Sequence, residues 1–270
     1  MLTKRMRKYS YASFLAALAF YDNLMCCIYL IAWINAIIYI LNRVVYFRFT
    51  STAVCFFMEY IYDFALNGSM WCVVVISMER FVIVCFPLKG RQICTCKTAR
   101  ILMLVLPVCV SIYCYISNII HEYRPGFGCF ITADERRIDY IQGSLDYIIP
   151  GVLILCFNVA IIVMSTRSRG LGSGGGKDDK IRRITVTLVI LALVFLAFMA
   201  PVGVIAMMIT FWPLKMAYLG PVFNTATIVM PINFMVNFYI YVLTGSEIRL
   251  ALRDLFNLSN SKSECLRKPQ

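Results

Sequence analysis

The sequence predicts an all-α membrane protein of six transmembrane helices followed by a short amphipathic helix. Three observations predict it. First, 61% of the 270 residues are hydrophobic, only 15% are charged, and the mean hydropathy is +0.77, whereas an ordinary soluble domain is about half apolar and about a quarter charged. Second, apolar runs of 20 or more residues recur, each long enough to cross a hydrocarbon core about 30 Å thick. Third, Lys and Arg are distributed by segment. Segments 1–10, 80–100, 165–183 and 244–270 hold 20 of the 26, and the other six are Arg43, Arg48, Arg124, Arg136, Arg137 and Lys215. Rich and poor segments alternate, so the positive-inside rule places both chain ends in the cytoplasm. The net charge of +12 therefore reads as membrane topology and not as a nucleic-acid footprint.

Taken in order, residues 1–10 are too basic for a signal peptide and read as a cytoplasmic segment. The first span covers about 11–40 and carries Asp22 and Asn23 in mid-membrane. The second, about 51–86, organises the rest. Cys55, Glu59, Tyr62, Leu66, Ser69, Val73, Ile76 and Arg80 recur at alternating steps of four and three, which is one face of an α-helix. Ionisable side chains are costly against lipid, so this polar stripe must face protein or a water-filled cavity. Pro87 favours an end to the helix there, and a basic loop leads to a third span at about 101–120. The connection 121–140 is the most mixed in charge and holds Cys129.

A fourth span, about 141–164, contains Pro150 and Asn158. Residues 167–180, rich in Gly and Ser, read as a flexible linker into a fifth span at about 184–211 with Pro201 inside. The sixth span covers about 216–243. Residues 245–256 place Ile248, Leu252 and Leu255 opposite charged residues, a pattern suited to lying on a membrane surface. Residues 1–257 thus form the membrane domain and 258–270 a cytoplasmic tail.

Of twelve cysteines, Cys26, Cys27, Cys72, Cys85, Cys109, Cys114 and Cys156 lie in or beside apolar runs, where a buried thiol behaves as a small hydrophobe. Cys94 and Cys96 lack the spacing of a four-ligand zinc site. Cys55 and Cys129 both fall on the outer side of this topology and can pair there. No enzyme motif is found: the single histidine, His121, has no nucleophile partner, and the glycine run has no phosphate-loop Lys-Ser/Thr after it. Asn67-Gly68-Ser69 matches a glycosylation sequon but lies in mid-membrane. Cys265, in the basic tail, is either palmitoylated or a free thiol.

Several motifs together resemble the rhodopsin-like (class A) G-protein-coupled receptors, here lacking the first helix of that seven-helix bundle. Leu18-Ala19-Phe20-Tyr21-Asp22 matches the LAxxD motif of the family's second helix. Cys55 stands 25 residues before Arg80, the spacing of the family's third helix, and Glu79-Arg80-Phe81 stands for D/E-R-Y. Pro150 matches the fifth-helix proline, and Phe195 with Pro201 matches the sixth-helix pattern. Asn233 and Asn237-Phe238 with Tyr241 match the N-x-x-x-N-P-x-x-Y end of the seventh. The departures are Met199 for the sixth-helix Trp, Asn158 for the fifth-helix Tyr, and Phe238 for the seventh-helix Pro. The last is a form seen in invertebrate neuropeptide receptors of the FMRFamide type.

The resemblance implies a plasma-membrane receptor with a cytoplasmic C-terminus, an extracellular peptide ligand and a heterotrimeric G protein as partner. It implies a Cys55–Cys129 disulfide, and activation through Glu79, Arg80, Phe81, Pro201, Asn237 and Tyr241. It implies a ligand site near Glu59, Tyr62, Asp63, Met199 and Thr227, with Asp63 about 100° round the helix from Tyr62. Asp22, Ser69, Asn233 and Asn237 match positions that enclose a sodium ion in the family, the one cofactor implied; a hydrogen-bonded network without an ion is the alternative. Tyr62 stands where amine receptors carry Asp, and Pro231 where opsins carry the Schiff-base Lys, which leaves a peptide. Glu59 would receive a cationic peptide group or pair with Arg43, Arg48 or Arg124. Two other readings are a non-signalling truncated receptor and a six-span transporter or channel. The second would want repeated halves, a voltage-sensor helix or a re-entrant filter, and the sequence offers none.

Overall fold

The computed structural model describes residues 10–42, 51–119, 121–124, 128–131, 141–168 and 176–211, and, near the C-terminus, 222, 228, 230–237, 239 and 240. The long helices are α1 (Ser10–Asn42), α2 (Thr52–Cys85), α4 (Cys96–Asn118), α5 (Ile149–Ser168) and α6 (Gly176–Phe211). A short α3 (Pro87–Ile93) follows α2, and residues 230–237 form α7. Five helices among the described residues are long and apolar enough to cross a membrane. The membrane part is all-α, as predicted. The sixth predicted span is described only in α7 and a few neighbouring residues, and the amphipathic segment 245–256 lies outside the described residues, as does the tail.

Helix α2 is the centre of the bundle. It packs against α1, α4, α5 and α6, so the stripe that organises the sequence also organises the fold. Its N-terminus is capped by Ser51, whose hydroxyl accepts from the Val54 amide at 3.3 Å, satisfying one of the otherwise orphaned N–H groups. Around it the core is built from helical-period faces: Phe14, Leu18, Tyr21 and Met25 of α1, Leu188, Leu191, Phe195 and Met199 of α6, and Met230 and Phe234 of α7. Residues on the opposite faces, such as Ile34, Ile37 and Leu41 of α1 and Leu104, Val108 and Ile112 of α4, are exposed and apolar. That is the pattern expected where lipid replaces water as the solvent.

With lipid as apolar as the core, helix association rests on close packing, and Gly68 provides it. A Cβ at Gly68 would fall on the ring of Tyr21, which stacks edge-on against Phe64 with centroids 5.5 Å apart. Gly68→Val is therefore expected to lower the melting temperature of the detergent-solubilised chain. Overpacking of this kind costs about 1–3 kcal/mol, and a thermal melt of both forms measures it.

Three segments differ from the sequence-based expectation. The basic segment after α2, predicted as a loop, forms α3, which opens with Pro87 in its first turn, where the fixed φ suits a helix start. Gly90 lets it fold back, since a Cβ there would meet the Val82 carbonyl oxygen at 2.8 Å. The connection 121–140 contains an antiparallel hairpin, β1 (His121–Arg124) with β2 (Gly128–Ile131), pairing Tyr123 with Cys129. Its first strand lies against α2, and the intervening Pro125-Gly126 in the sequence is a turn signal. Finally, α6 begins at Gly176, so the end of the predicted linker is helical. Asp178 and Asp179 fall in its first turn, where the helix dipole favours acids.

Before α5, residues Ser144–Ile148 form a π-helical turn in which the Ile149 amide donates to the Ser144 carbonyl. Pro150 explains it. Proline has no N–H and its ring collides with the carbonyl four residues back, so the preceding turn widens. The turn carries Asp146, which is buried.

Candidate functional site

Polar side chains of the bundle interior gather in three places along α2. At one end, the Arg80 Nη2 donates to Glu79 Oε2 at 3.2 Å, and both side chains are about 5% exposed. Ser10, at the start of α1, donates its hydroxyl to the other Glu79 oxygen, and the Cys94 thiol donates to the Glu79 carbonyl at 3.9 Å. Burial raises the pKa of that thiol, Glu79 raises it further, and the Arg80 guanidinium acts the other way. Phe81 packs its ring against Phe86 and Phe157. The charge-assisted pair holds a buried cation at the end of α2 that leads into α3.

In the middle, Asp22 is buried, and it accepts from Ser69 Oγ at 2.7 Å and from Asn237 Nδ2 at 2.9 Å. The Asn233 side chain is fully buried, and neither its Oδ1 nor its Nδ2 has a hydrogen-bond partner among the described residues. The Asn237 Oδ1 is likewise unpartnered. The four sequence-predicted residues thus lie on α1, α2 and α7, with Asp22, Ser69 and Asn237 in direct contact. A carboxylate with orphaned amide oxygens nearby is an oxygen-rich donor set that fits a hard cation. A cavity of about 250 Å³ between α1 and α7 is lined by Asp22, Asn23, Cys26, Phe234, Met235 and Tyr239.

Towards the other end, α2 divides its polar residues between two sides. Tyr62 turns to α1 and α7, with its hydroxyl 3.4 Å from that of Tyr29 and 4.0 Å from the Met230 sulfur. Asp63 turns to α4 and the residues just before the π-turn. It accepts from Asn118 Nδ2 at 2.8 Å and from Gln142 Nε2 at 3.3 Å. Beside it, Asp146 accepts from the Tyr113 hydroxyl at 2.6 Å. Glu59 is half-buried one turn from Asp63. Cys55, fully buried, is disulfide-bonded. Met199 and Phe195 line a second cavity, about 600 Å³ and almost wholly apolar, between α5 and α6. Pro201 sits inside α6 on an exposed face. Thr227 and Tyr241 lie outside the described residues, as does the side chain of Cys129.

The sequence reading missed Asn67, Tyr113, Asn118, Gln142 and Asp146. The signal for Asp146 was present, since an acid inside an apolar run four residues before a helix proline marks a functional site by default. Asn158, which stands where the family's fifth helix carries Tyr, donates instead to Ser77 Oγ at 3.1 Å and to the Ile154 carbonyl at 2.7 Å.

Comparison with known proteins decides the family. The sequence model of the 7 transmembrane receptor (rhodopsin family) matches residues 1–241. The chain belongs to the rhodopsin family of seven-transmembrane receptors. It is a multi-pass membrane protein of a receptor family, not of an enzyme family. Among curated relatives, the FMRFamide receptor of Drosophila melanogaster is 25% identical over 213 residues, covering 68% of this chain and 36% of that protein. The chain therefore spans about a third of the length of this curated relative.

Proposed function

We propose that this rhodopsin-family receptor binds an extracellular peptide and activates a heterotrimeric G protein at the cytoplasmic end of α2. The observation that carries this reading is the buried Arg80–Glu79 pair roofed by Ser10. It is a closed, charge-neutral resting contact that a ligand-driven helix movement can open. The similarity to an FMRFamide receptor favours an amidated peptide as the ligand. The mechanism is a population shift: a peptide contacting Glu59, Tyr62, Asp63, Met199 and Thr227 binds the open state more tightly. Arg80, with Phe81, Pro201, Asn237 and Tyr241, then presents a groove to the G protein. The receptor acts at the plasma membrane with its C-terminus in the cytoplasm.

Two structural supports belong to the same proposal. Cys129, on the strand that pairs with β1, is the partner of Cys55 and ties the hairpin over the ligand entrance. Asp22, Ser69, Asn233 and Asn237 hold a sodium ion in the resting state, for which a carboxylate and orphaned amide oxygens are suitable ligands. The test is guanine-nucleotide exchange by purified G proteins with the full chain in nanodiscs and a panel of amidated peptides. Peptide-dependent exchange is expected, and its absence with every peptide and every G-protein class refutes the reading. Cys55→Ser and Cys129→Ser are each expected to abolish peptide binding, because a disulfide contributes about 2–4 kcal/mol and positions the hairpin. Normal radioligand binding in Cys129→Ser refutes the pairing.

A further inference from the structure

A buried acidic cluster between α2, α4 and the π-turn of α5 has acceptors in excess. Asp63 and Asp146 are 9% and 6% exposed, and among the described residues no basic side chain pairs with either. Among the described residues, Asn118 and Gln142 donate to Asp63 Oδ2, and Tyr113 donates to Asp146 Oδ1. The Asn67 amide donates to the Asp63 backbone carbonyl at 3.1 Å and stands against the Asp146 carboxylate. Around this pair, two side-chain oxygens are buried with no partner among the described residues, Asn67 Oδ1 and Asn118 Oδ1. Asn67 is 1% exposed and Asn118 is fully buried. Both amides spend their nitrogens on the aspartates or on nearby carbonyls, so turning either amide over would trade an orphaned oxygen for an orphaned nitrogen.

Two carboxylates and two orphaned oxygens in a water-poor interior require donors and positive charge. Leaving such groups unsatisfied is costly, and two acids so placed destabilise each other's ionised form. We propose that Asp63 and Asp146, with the amide oxygens of Asn67 and Asn118, form a buried subsite for a guanidinium group of the ligand. A guanidinium offers five N–H donors in one plane and is weakly hydrated, so it can bridge acceptors on three helices at a small desolvation cost. An ammonium has three donors and gives up its water less readily. Gln142, half-exposed, forms the edge through which the group enters. This rests on the receptor reading of the same pocket and names the chemistry its ligand must carry.

The experiment uses the full chain in nanodiscs and thermal unfolding with argininamide, lysinamide and citrullinamide as probes. Argininamide is expected to raise the melting temperature by about 5 °C at a hundredfold excess over Kd. Lysinamide should raise it less, and citrullinamide not at all. The isosteric variants Asp63→Asn and Asp146→Asn should each lose the argininamide response, and their own melts report whether they fold. Three results overturn the subsite. They are no response in the wild type, a response in both variants as large as in the wild type, or stabilisation by calcium alone that the same variants abolish. A rise in stability of Asp146→Asn with no probe response in the wild type also overturns it, since the two acids would then share a proton. A parallel titration with the amidated tetrapeptide Phe-Met-Arg-Phe separates the two readings. Binding that falls about a hundredfold when its arginine becomes citrulline supports both. An argininamide response with no tetrapeptide binding leaves the subsite standing and refutes only that choice of peptide.

Discussion

Replacing Arg80 with alanine is expected to abolish G-protein nucleotide exchange while leaving peptide affinity within about threefold of wild type, since Arg80 and the ligand site occupy opposite ends of α2. The expectation follows from position and burial. Arg80 is 4% exposed and pairs with its own neighbour Glu79, far along α2 from Tyr62 and Asp63. Breaking a buried pair by removing one partner commonly destabilises by about 3–5 kcal/mol. Here the cost should fall below that range, because Ser10 still donates to Glu79. The variant should therefore reach the surface and bind ligand. Glu79→Gln is the complementary change. It keeps the shape but removes the charge that restrains Arg80, so basal exchange should rise. Exchange unchanged in Arg80→Ala would remove Arg80 from the coupling mechanism.

The membrane fold was legible in the sequence because its signals are long-range averages. Apolar runs, basic segments and the four-and-three stripe of α2 each integrate over many residues. The stripe correctly named the helix at the centre of the bundle, and within it Ser69 points to Asp22 on another helix, as the periodicity requires. The Asp22–Ser69–Asn237 cluster was also legible, through the family resemblance that matches these positions to one site. What escaped notice was local and cooperative. Helix α3 depends on Pro87 fixing a helix start and on Gly90 permitting contact with α2, and neither is visible in hydropathy. The hairpin needs pairing partners across a turn, a relation that single-residue averages do not hold.

The acidic cluster at Asp63 escaped for a further reason. A helical wheel gives the angle between Tyr62 and Asp63 but not which neighbour each angle meets. Grouping Tyr62 and Asp63 in one ligand site left open that they face different neighbours. The bundle instead places α1 and α7 beside Tyr62, and α4, Gln142 and the π-turn's Asp146 beside Asp63. Asp146 reaches that site on the π-helical turn, whose geometry is set by Pro150. A proline effect on the preceding turn is a three-dimensional consequence of a one-letter signal.

Asp22→Ala should be the most destabilising single change in the middle of the bundle. Ser69 Oγ and Asn237 Nδ2 both donate to its carboxylate, and Ser69 and Asn237 are themselves fully buried. Deleting the acceptor leaves two buried donors without partners, at about 1–3 kcal/mol each, and joins the space of the lost side chain to the 250 Å³ cavity alongside. For a bundle of this size the melting temperature should fall by roughly 4–24 °C. Asp22→Asn keeps the shape and one acceptor oxygen, so it should recover part of the loss. The pair of variants also separates packing from ion binding. Exchanging sodium chloride for choline chloride at constant ionic strength should lower the wild-type melting temperature and leave Asp22→Asn unmoved, because the asparagine lacks the charge that makes cation binding favourable. If wild type and Asp22→Asn respond alike to the exchange, Asp22 holds the helices together through hydrogen bonds alone. The orphaned Asn233 amide would then mark a polar gap between α1, α2 and α7, with no ion to fill it.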